Sequence, residues 1–250
     1  MTKDINLNVF YDELTKLLDN LYVKEKDNIA KAAKVCSDAI AKGGVVHVFG
    51  SGHSIGFGME MKGRPGALVP IHHIDMSDFV IKGMVTYEDF RNPDNIFERR
   101  PHVADKLYAL YDIRPEDVFI IISNSGINGV VIDMAITAKN NHHPVIVVTS
   151  WQHTSTEESR HPSGKHLYEF GDVVIDNCGP KGDALLETGR PEKVCSVSSI
   201  TGAFIAQSIN LEIVRNLEAE GKEVPLVYDF TVEGYKEHNQ ALLEKYKGRI

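Results

Sequence analysis

The sequence predicts an α/β fold built around a parallel sheet, and two observations support this. Short apolar runs of strand length alternate along the chain with longer stretches that have helical periodicity. This alternation is typical of βαβ units, in which helices cover a sheet of parallel strands. The apolar runs lie at 45–49, 68–72, 119–122, 145–148 and 172–176, and the helical stretches at 54–62, 103–111, 127–141 and 200–219.

The chain before the first apolar run, residues 1–44, is predicted to form a helical arm. Leu14, Leu18 and Leu21 follow one another at helical spacing, and a Gly-Gly pair at 43–44 ends the pattern. Basic and acidic residues are equally frequent in this stretch. A DNA-reading helix-turn-helix would carry more positive charge. We therefore expect the arm to pack on the main domain or on a second subunit.

The remainder of the chain divides into an α/β core over 45–220 and a C-terminal extension and helix over 221–250. Two polar stretches within the core, 75–101 and 150–165, have no clear periodicity and are candidate loops or lids. No linker-like segment separates these parts. A length of 250 residues is within the range of one α/β domain, so we expect a single domain over 1–250.

The composition excludes several classes of protein. The chain has a mass of 27.8 kDa, 42% hydrophobic and 25% charged residues, and three widely spaced cysteines, which argue against a disulfide framework. A net charge of −8 argues against a nucleic-acid partner, which would need clustered positive charge. The N-terminus lacks the apolar segment of a signal peptide, and no apolar run approaches 18 residues. We expect a cytoplasmic protein with no membrane span.

A polar turn follows the third apolar run and contains Ser123, Asn124, Ser125 and Gly126, with a helix predicted to begin near Asn128. Ser and Asn at a helix start satisfy backbone N–H groups that have no partner within the helix. The same N–H groups, with the positive end of the helix dipole, bind anions, and glycine allows a ligand to approach the backbone. The turn is thus either a plain helix cap or a cradle for a phosphate or similar oxyanion.

A second turn of the same design follows the first apolar run and contains Gly50, Ser51, Gly52, His53 and Ser54. Its glycine spacing is one residue too long for a dinucleotide-binding fingerprint, so we expect no nicotinamide cofactor. In a parallel sheet, ligands bind beyond the carboxyl ends of the strands. Two such turns therefore predict one ligand held between two loops, with a serine hydroxyl from each.

The sequence resembles the sugar isomerase (SIS) domain family in the two turns, at 50–54 and 123–126, and in the strand at 145–149. More narrowly, it resembles the stand-alone bacterial SIS proteins that bind phosphosugars. The segments that carry this closer resemblance are SRHPSGKHLYEFGDVVIDNCGPKGDALLE at 159–187 and VEGYKEHNQALLEKY at 232–246.

The resemblance covers roughly residues 30–220 and implies an SIS-type doubly wound sheet of five parallel strands flanked by helices. It further implies a phosphosugar as the small-molecule ligand, a homodimer or homotetramer, and no nucleotide cofactor. We expect no metal ion, because the adjacent His72 and His73 would point to opposite faces of a strand.

The resemblance also guides the search for a catalytic base, which aldose–ketose isomerisation needs to move a proton between adjacent carbons. SIS isomerases carry a Glu on the helix after the first turn, nine or ten residues beyond the turn Ser, where this chain has Gly63 and Arg64. Glu60 is the nearest carboxylate on that helix and a candidate base. Arg64 is a candidate partner for an anion. Both also fit an ordinary solvated helix surface.

The other candidates lie near the C-terminus and in the first turn. Glu192 is a second candidate base, and His238 and His53 are candidate proton shuttles for ring opening. Some SIS isomerases use a C-terminal His, sometimes from the partner subunit. Ser198 and Ser199 precede a predicted helix, where SIS proteins often bring Ser or Thr toward the phosphosugar; a plain helix cap is the alternative.

We therefore expect a protein that binds a phosphosugar or similar anionic sugar and isomerises it by metal-independent proton transfer. A lyase or etherase of the same substrate class is one alternative. A non-catalytic phosphosugar sensor is another, although SIS sensors in transcriptional regulators carry a basic DNA-binding domain that this chain lacks. The candidate ligand-binding residues are Gly50, Ser51, Gly52, Ser54, Arg64, Ser123, Asn124, Ser125, Gly126, Asn128, Ser198 and Ser199.

Overall fold

The computed structural model describes residues 5–250, so the first four residues of the predicted arm lie outside the described residues. The strands of the main sheet are β1 (Val46–Gly50), β2 (Ile71–Ile74), β3 (Val118–Ile122), β4 (Val145–Thr149) and β5 (Val173–Asp176). The helices are α1 (Leu7–Ala41), α2 (Ile55–Met61), α3 (Asp78–Ile81), α4 (Tyr87–Phe90), α5 (Val103–Tyr108), α6 (Gly129–Asn140), α7 (Trp151–Thr154), α8 (Ser198–Ala219) and α9 (Tyr235–Lys245).

The sheet has the strand order β2-β1-β3-β4-β5, and every neighbouring pair is parallel. This confirms the predicted α/β class and the five-stranded parallel sheet. The strands β1, β3 and β4 are buried along their whole length, because helices cover both faces of the sheet.

Alternate strand residues pack into two apolar layers. Val46 and Val48 of β1 point to the face that is covered by α1, α2 and α8. Phe49 of β1 and Phe119 of β3 point to the other face, which α5 and α6 cover. The period-two alternation of a strand therefore builds a separate core on each side of the sheet.

The strand order creates a switch point between β1 and β3. After β1 the chain forms α2 and then returns as β2, which pairs with the edge of β1 that faces away from β3. After β3 it forms α6 and then returns as β4, which pairs with the edge of β3 that faces away from β1. The loops after β1 and β3 therefore run in opposite directions from adjacent strands. A crevice opens at the carboxyl edge of the sheet between such loops.

The structure differs from the sequence prediction in its short elements. The stretch 75–101 contains α3 and α4, and the stretch 150–165 begins with α7. These single-turn helices of four residues are too short to show helical periodicity. The structure also contains a small antiparallel hairpin that was not predicted, formed by β6 (Ala184–Leu186) and β7 (Val194–Ser196).

The helix α1 is long and only its second half is buried. It has 35 residues, and the side chain of Asn6 caps its start by accepting hydrogen bonds from two backbone amides. The first buried residue is Leu21, while Leu7 and Tyr11 are 79% and 66% exposed. Despite the length of α1, no helix within residues 5–250 is apolar enough over a sufficient length to cross a bilayer.

A buried polar cluster, here named the amino-end network, joins His47, His72, Asp117 and Arg249 at the amino edge of the sheet. The Asp117 carboxylate is 3.0 Å from Nε2 of His47 and accepts a 2.6 Å hydrogen bond from Nη2 of Arg249. Because Nε2–H of His47 donates to this carboxylate, Nδ1 of His47 accepts from Nδ1–H of His72 at 3.0 Å. The network attaches the C-terminal segment to β1 and β2.

Burial sets the protonation states in this network. Burial lowers the pKa of His47 and outweighs the opposing hydrogen bond to Asp117. Burial, with the nearby His47, lowers the pKa of His72 to about 3. Burial alone would raise the pKa of Asp117, but hydrogen bonds from His47, Arg114 and Val45 hold it at about 2. Both imidazoles are therefore neutral and the carboxylate is ionised at neutral pH.

Candidate functional site

Polar groups from four segments converge at the carboxyl edge of the sheet, at the switch point between β1 and β3. They come from the loops after β1, β3 and β5 and from the start of α8. We call the space between them the cleft. It is lined by His53, Ser54, Gly56, Phe57, Ile122, Asn124, Val148, Asn177, Ser198, Ser199 and Gly202.

The loop after β1 folds back tightly on the strand. A Cβ atom at Gly50 would lie 2.9 Å from Cβ of Ser54, so only glycine fits at this position. Gly52 has a φ of +58°, which glycine adopts without strain, and the amide of Ser54 donates to the carbonyl of Ser51 at 3.2 Å. In the described part of the chain, no hydrogen bond engages the Ser54 hydroxyl or the His53 imidazole, so both remain available to a ligand.

The loop after β3 is stabilised by its own serine. The buried hydroxyl of Ser123 accepts a hydrogen bond from the amide of Gly126 at 3.1 Å, so it supports the turn. Gly126 has a φ of +66°, and a Cβ atom there would lie 2.6 Å from Oγ1 of Thr154. Asn124 is the residue of this turn that lines the cleft, and its carbonyl accepts from the amide of Ser150 at 3.0 Å.

An amide pair forms the floor of the cleft next to β5. Nδ2 of Asn177 donates to Oδ1 of Asn124 at 2.9 Å, and Oδ1 of Asn177 accepts from the amide of Gly179 at 2.8 Å. These bonds fix the orientation of both side-chain amides. Asn177 was not predicted from the sequence, although it gives the same signal as Asn124: a polar residue directly after a buried strand.

The start of α8 supplies hydroxyl groups but is capped by a carboxylate. Asp183, which has a φ of +72°, accepts hydrogen bonds from the amides of Val197 and Ser198 and from the Ser198 hydroxyl at 2.8 Å. Ser199 also lines the cleft, and its hydroxyl has no hydrogen-bond partner among residues 5–250. Nothing local in the sequence pointed to Asp183, because it lies 15 residues before the helix that it caps.

The cleft offers mainly neutral hydrogen-bonding groups. Hydroxyls and side-chain amides line it, and His53 is the only titratable side chain among the described lining residues. Its volume is about 30 Å³, which is room for one or two water molecules. A sugar would therefore lie across the mouth of the cleft or displace one of its walls.

Glu60 and Arg64 lie outside the cleft and bind each other. Nη1 of Arg64 donates to Oε1 of Glu60 at 2.6 Å, and Nε2 of Gln207 donates to the same oxygen at 2.6 Å. The carboxylate thus links α2 to α8. Neither Glu60 nor Arg64 lines the cleft in this chain.

Two further candidates are also distant from the cleft. Glu192 is exposed and lies between β6 and β7, where its carbonyl accepts from the Thr188 hydroxyl. Nε2 of His238 is 2.9 Å from the carbonyl of Leu226. Leu226 pairs with Leu68, which lies just before β2. His238 is therefore at the amino edge of the sheet, opposite the cleft.

The remaining predicted residues do not line the cleft. Gly50, Ser51 and Gly52 shape the first turn, and Ser125 is half-buried in the second. Asn128 precedes α6, but its side chain does not cap the helix. Its Oδ1 instead accepts from Nη1 of Arg160 at 3.3 Å.

Within residues 5–250, no group of three or more His, Cys, Asp or Glu side chains is arranged to hold a metal ion. His72 and His73 are adjacent on β2. Nδ1 of His72 is engaged with His47 in the amino-end network.

Comparison with known families and sequences gives close matches. The model of the SIS domain family matches residues 9–150 of the chain. A UPF0309 protein of Geobacillus sp. (strain WCH70) is 38% identical over 243 residues, which are 96% of each chain. A UPF0309 protein of Listeria monocytogenes is 36% identical over 245 residues, covering 98% of this chain and 97% of the relative.

Comparison with solved structures gives the same fold at low identity. A phosphoheptose isomerase from Francisella tularensis superposes with a TM-score of 0.57 and 18% identity, covering 86% of this chain and all of the other. The phosphoheptose isomerase GmhA from Neisseria gonorrhoeae superposes with a TM-score of 0.55 and 17% identity, covering 83% and 96%. Both confirm the doubly wound arrangement of strands and helices.

Proposed function

The chain belongs to the SIS domain family, and on this premise we propose that it binds a sugar phosphate at the mouth of the cleft. The observation that carries the proposal is the convergence of the loops after β1 and β3 at the switch point of the sheet. Uncharged hydroxyl and amide groups suit an anionic, hydroxyl-rich ligand. The two similar structures named as phosphoheptose isomerases support a phosphosugar as the ligand class.

The phosphate belongs at the start of α6. The first amides of α8 are already engaged by the Asp183 carboxylate, which would also repel an anion. No side chain caps α6 among the described residues, so the positive end of its dipole can attract a phosphate that is bound on the preceding turn, at Ser125. Ser125 and Ser54, on the two turns, would supply hydroxyl donors, and the sugar would extend toward His53 and Ser199.

The proposed reaction is aldose–ketose isomerisation. A base removes a proton from the carbon next to the carbonyl while the carbonyl oxygen gains a proton, which gives an enediol. The former carbonyl carbon then gains a proton while the neighbouring hydroxyl loses its own and becomes the new carbonyl, so atoms and electrons balance without a cofactor. His53 is the titratable group that the cleft presents to a ligand, and imidazole is suited to proton transfer near neutral pH. We assign this role to His53, because Glu60 is held by Arg64 and Gln207.

A phosphosugar sensor without turnover is the second candidate function. None of the described residues that line the cleft is a carboxylate, and a carboxylate is the base expected from the resemblance to SIS isomerases. A binding protein needs the cradle for the anion but no base. The two candidates therefore predict the same ligand and differ in whether the ligand is changed.

The proposed assembly is a homodimer in which the first half of α1 contacts a second subunit. Phe10, Leu14 and Leu18 lie at helical spacing before the first buried residue of α1, in the part of the helix where Leu7 and Tyr11 are strongly exposed. An apolar stripe of this kind is typical of a helix that packs against another chain.

Solvent-deuterium exchange distinguishes an isomerase from a sensor. The protein is incubated in D₂O with hexose, heptose and amino-sugar phosphates, and NMR follows deuterium at the carbon next to the carbonyl. An isomerase incorporates deuterium, and His53→Gln should slow this by at least a hundredfold. Binding without exchange supports the sensor, and exchange that is unaffected by His53→Gln contradicts the role assigned to His53.

A binding experiment tests the anion cradle itself. Ser54→Ala together with Ser125→Ala should weaken phosphosugar affinity at least tenfold, because two hydroxyl donors to an anion are removed. Ser155→Ala is the matched control, since that hydroxyl is exposed and donates to the carbonyl of Trp151. Equal affinity in the double variant and the control would show that the cradle is placed wrongly.

A further inference from the structure

A second cavity lies outside the cleft and runs along α6. Its volume is about 910 Å³, within the range of small-molecule binding sites. It extends from Asn128 at the start of α6 to Asn141 beyond its end. The segments 98–102 and 160–162 line it together with α6. We call this cavity the α6 groove.

Two arginines that line the α6 groove have no carboxylate partner among the described residues. Arg99 and Arg160 both line the groove, and neither forms an ion pair with any residue in the part of the chain that the structure describes. Arg160 makes one long side-chain hydrogen bond, 3.3 Å, to Oδ1 of Asn128. Two guanidinium groups that face one cavity match a doubly charged anion such as a phosphate monoester.

The two segments that line the groove with α6 are held in place by their neighbours. Arg100 binds the Asp89 carboxylate through two hydrogen bonds of 2.7 and 2.9 Å, which anchors the segment that carries Arg99. In the other segment, Nε2 of His161 is 2.9 Å from the carboxylate of Asp133, and the backbone amide of Arg160 donates to Ile127 at 3.0 Å. A site with fixed walls loses less entropy when a ligand binds.

The remaining lining favours hydroxyl groups over an aromatic ring. Asn140 and Asn141 line the end of the groove, and Asp105 and Glu98 add oxygen acceptors. Amides and carboxylates pair well with the hydroxyls of a polyol. None of the described lining residues is Phe, Tyr or Trp.

We propose that the α6 groove is a second binding site, separate from the cleft, for a hydroxyl-bearing phosphate monoester. Arg99 and Arg160 hold the phosphate, and the polar groups near the end of α6 receive the hydroxyls. The start of α6 lies between the two sites, since Asn124 lines the cleft and Asn128 lines the groove. A ligand in the groove would therefore lie close to the turn after β3, which carries Asn124 of the cleft.

The test is the stoichiometry of binding by the full chain, measured by equilibrium dialysis with fructose 6-phosphate as the probe. The wild-type protein should bind two equivalents per chain. Arg99→Ala with Arg160→Ala should weaken one of them at least tenfold. Arg91→Ala with Lys222→Ala removes the same charge from exposed positions outside the groove and should leave both equivalents intact. Circular dichroism of each variant verifies that it is folded.

The outcomes separate this inference from the proposed function. If Ser54→Ala with Ser125→Ala leaves both equivalents unchanged, the cleft proposal fails while the groove proposal stands. If the arginine variant binds both equivalents as the wild type does, the groove proposal is overturned. A single equivalent that both sets of substitutions abolish would show that groove and cleft are one site, which also overturns the proposal of a second site.

Discussion

Acid should destabilise this fold through His72 in the amino-end network. His72 is 5% exposed, and its pKa is about 3 in the folded protein against about 6.5 in an unfolded chain. Below pH 6.5 the unfolded chain therefore takes up a proton that the folded protein does not. The stabilisation is complete above pH 6.5 and is lost progressively as the pH falls toward 3.

The magnitude at pH 5 follows from the distance below the unfolded pKa. About 1.5 pH units at about 1.36 kcal/mol each give a loss of about 2 kcal/mol from His72 alone. His47 acts in the same direction, because its folded pKa is also lowered. Asp117 contributes little in this window, since its pKa of about 2 in the folded protein lies well below pH 5.

Urea unfolding followed by circular dichroism at pH 7, 6 and 5 measures the effect. The free energy of unfolding of the wild-type protein should fall by at least about 2 kcal/mol between pH 7 and pH 5. His72→Gln keeps a hydrogen-bond donor for His47 but does not titrate. The free energy of unfolding of this variant should therefore fall by about 2 kcal/mol less than that of the wild type between pH 7 and pH 5. His142→Asn is the control, because this position is exposed and has a positive φ. Its free energy of unfolding should fall between pH 7 and pH 5 by as much as that of the wild type. An undiminished decrease in His72→Gln would refute the reasoning.

Three further substitutions test other parts of the structure. Asn210→Leu should raise the free energy of unfolding by about 1–3 kcal/mol in a urea titration, because both amide atoms of Asn210 are buried without a partner among the described residues. A variant that is less stable than the wild type would contradict this prediction. Gly126→Ala should destabilise more than Gly164→Ala by the same assay, since both glycines have positive φ but only at Gly126 would a Cβ atom meet Oγ1 of Thr154, at 2.6 Å. Glu60→Gln should change phosphosugar affinity less than twofold in calorimetry, because Glu60 does not line the cleft; a tenfold loss would place it in the site.

The sheet could be predicted from the sequence because its strands are buried on both faces. A run such as Phe119–Ile122 is apolar at every position, and it alternates with helices whose apolar residues recur at helical spacing. The second strand was predicted too early, at 68–72 instead of Ile71–Ile74, so its start is wrong by three residues and its end by two. Pro70 lies at the boundary, and proline cannot donate a ladder hydrogen bond.

The short elements could not be predicted, because their formation depends on contacts distant in sequence. The hairpin of β6 and β7 has three residues in each strand, too few for an alternating pattern. Its base is fixed by Asp183, whose carboxylate binds the start of α8. A residue that caps a helix from 15 positions away leaves no signal in the local sequence.

Strand order explains why some predicted site residues meet and others do not. Ser54 and Asn124 follow β1 and β3, which are adjacent in the sheet, and Asn177 follows β5, so all three lie at the carboxyl edge. His238 follows no strand of the sheet, and its bond to Leu226 holds it at the amino edge. The strands of the main sheet are four or five residues long, so at about 3.3 Å per residue roughly 15 Å separates its two edges. A proton shuttle from His238 would therefore have to act on the cleft of a partner subunit, whereas His53 can act within its own chain.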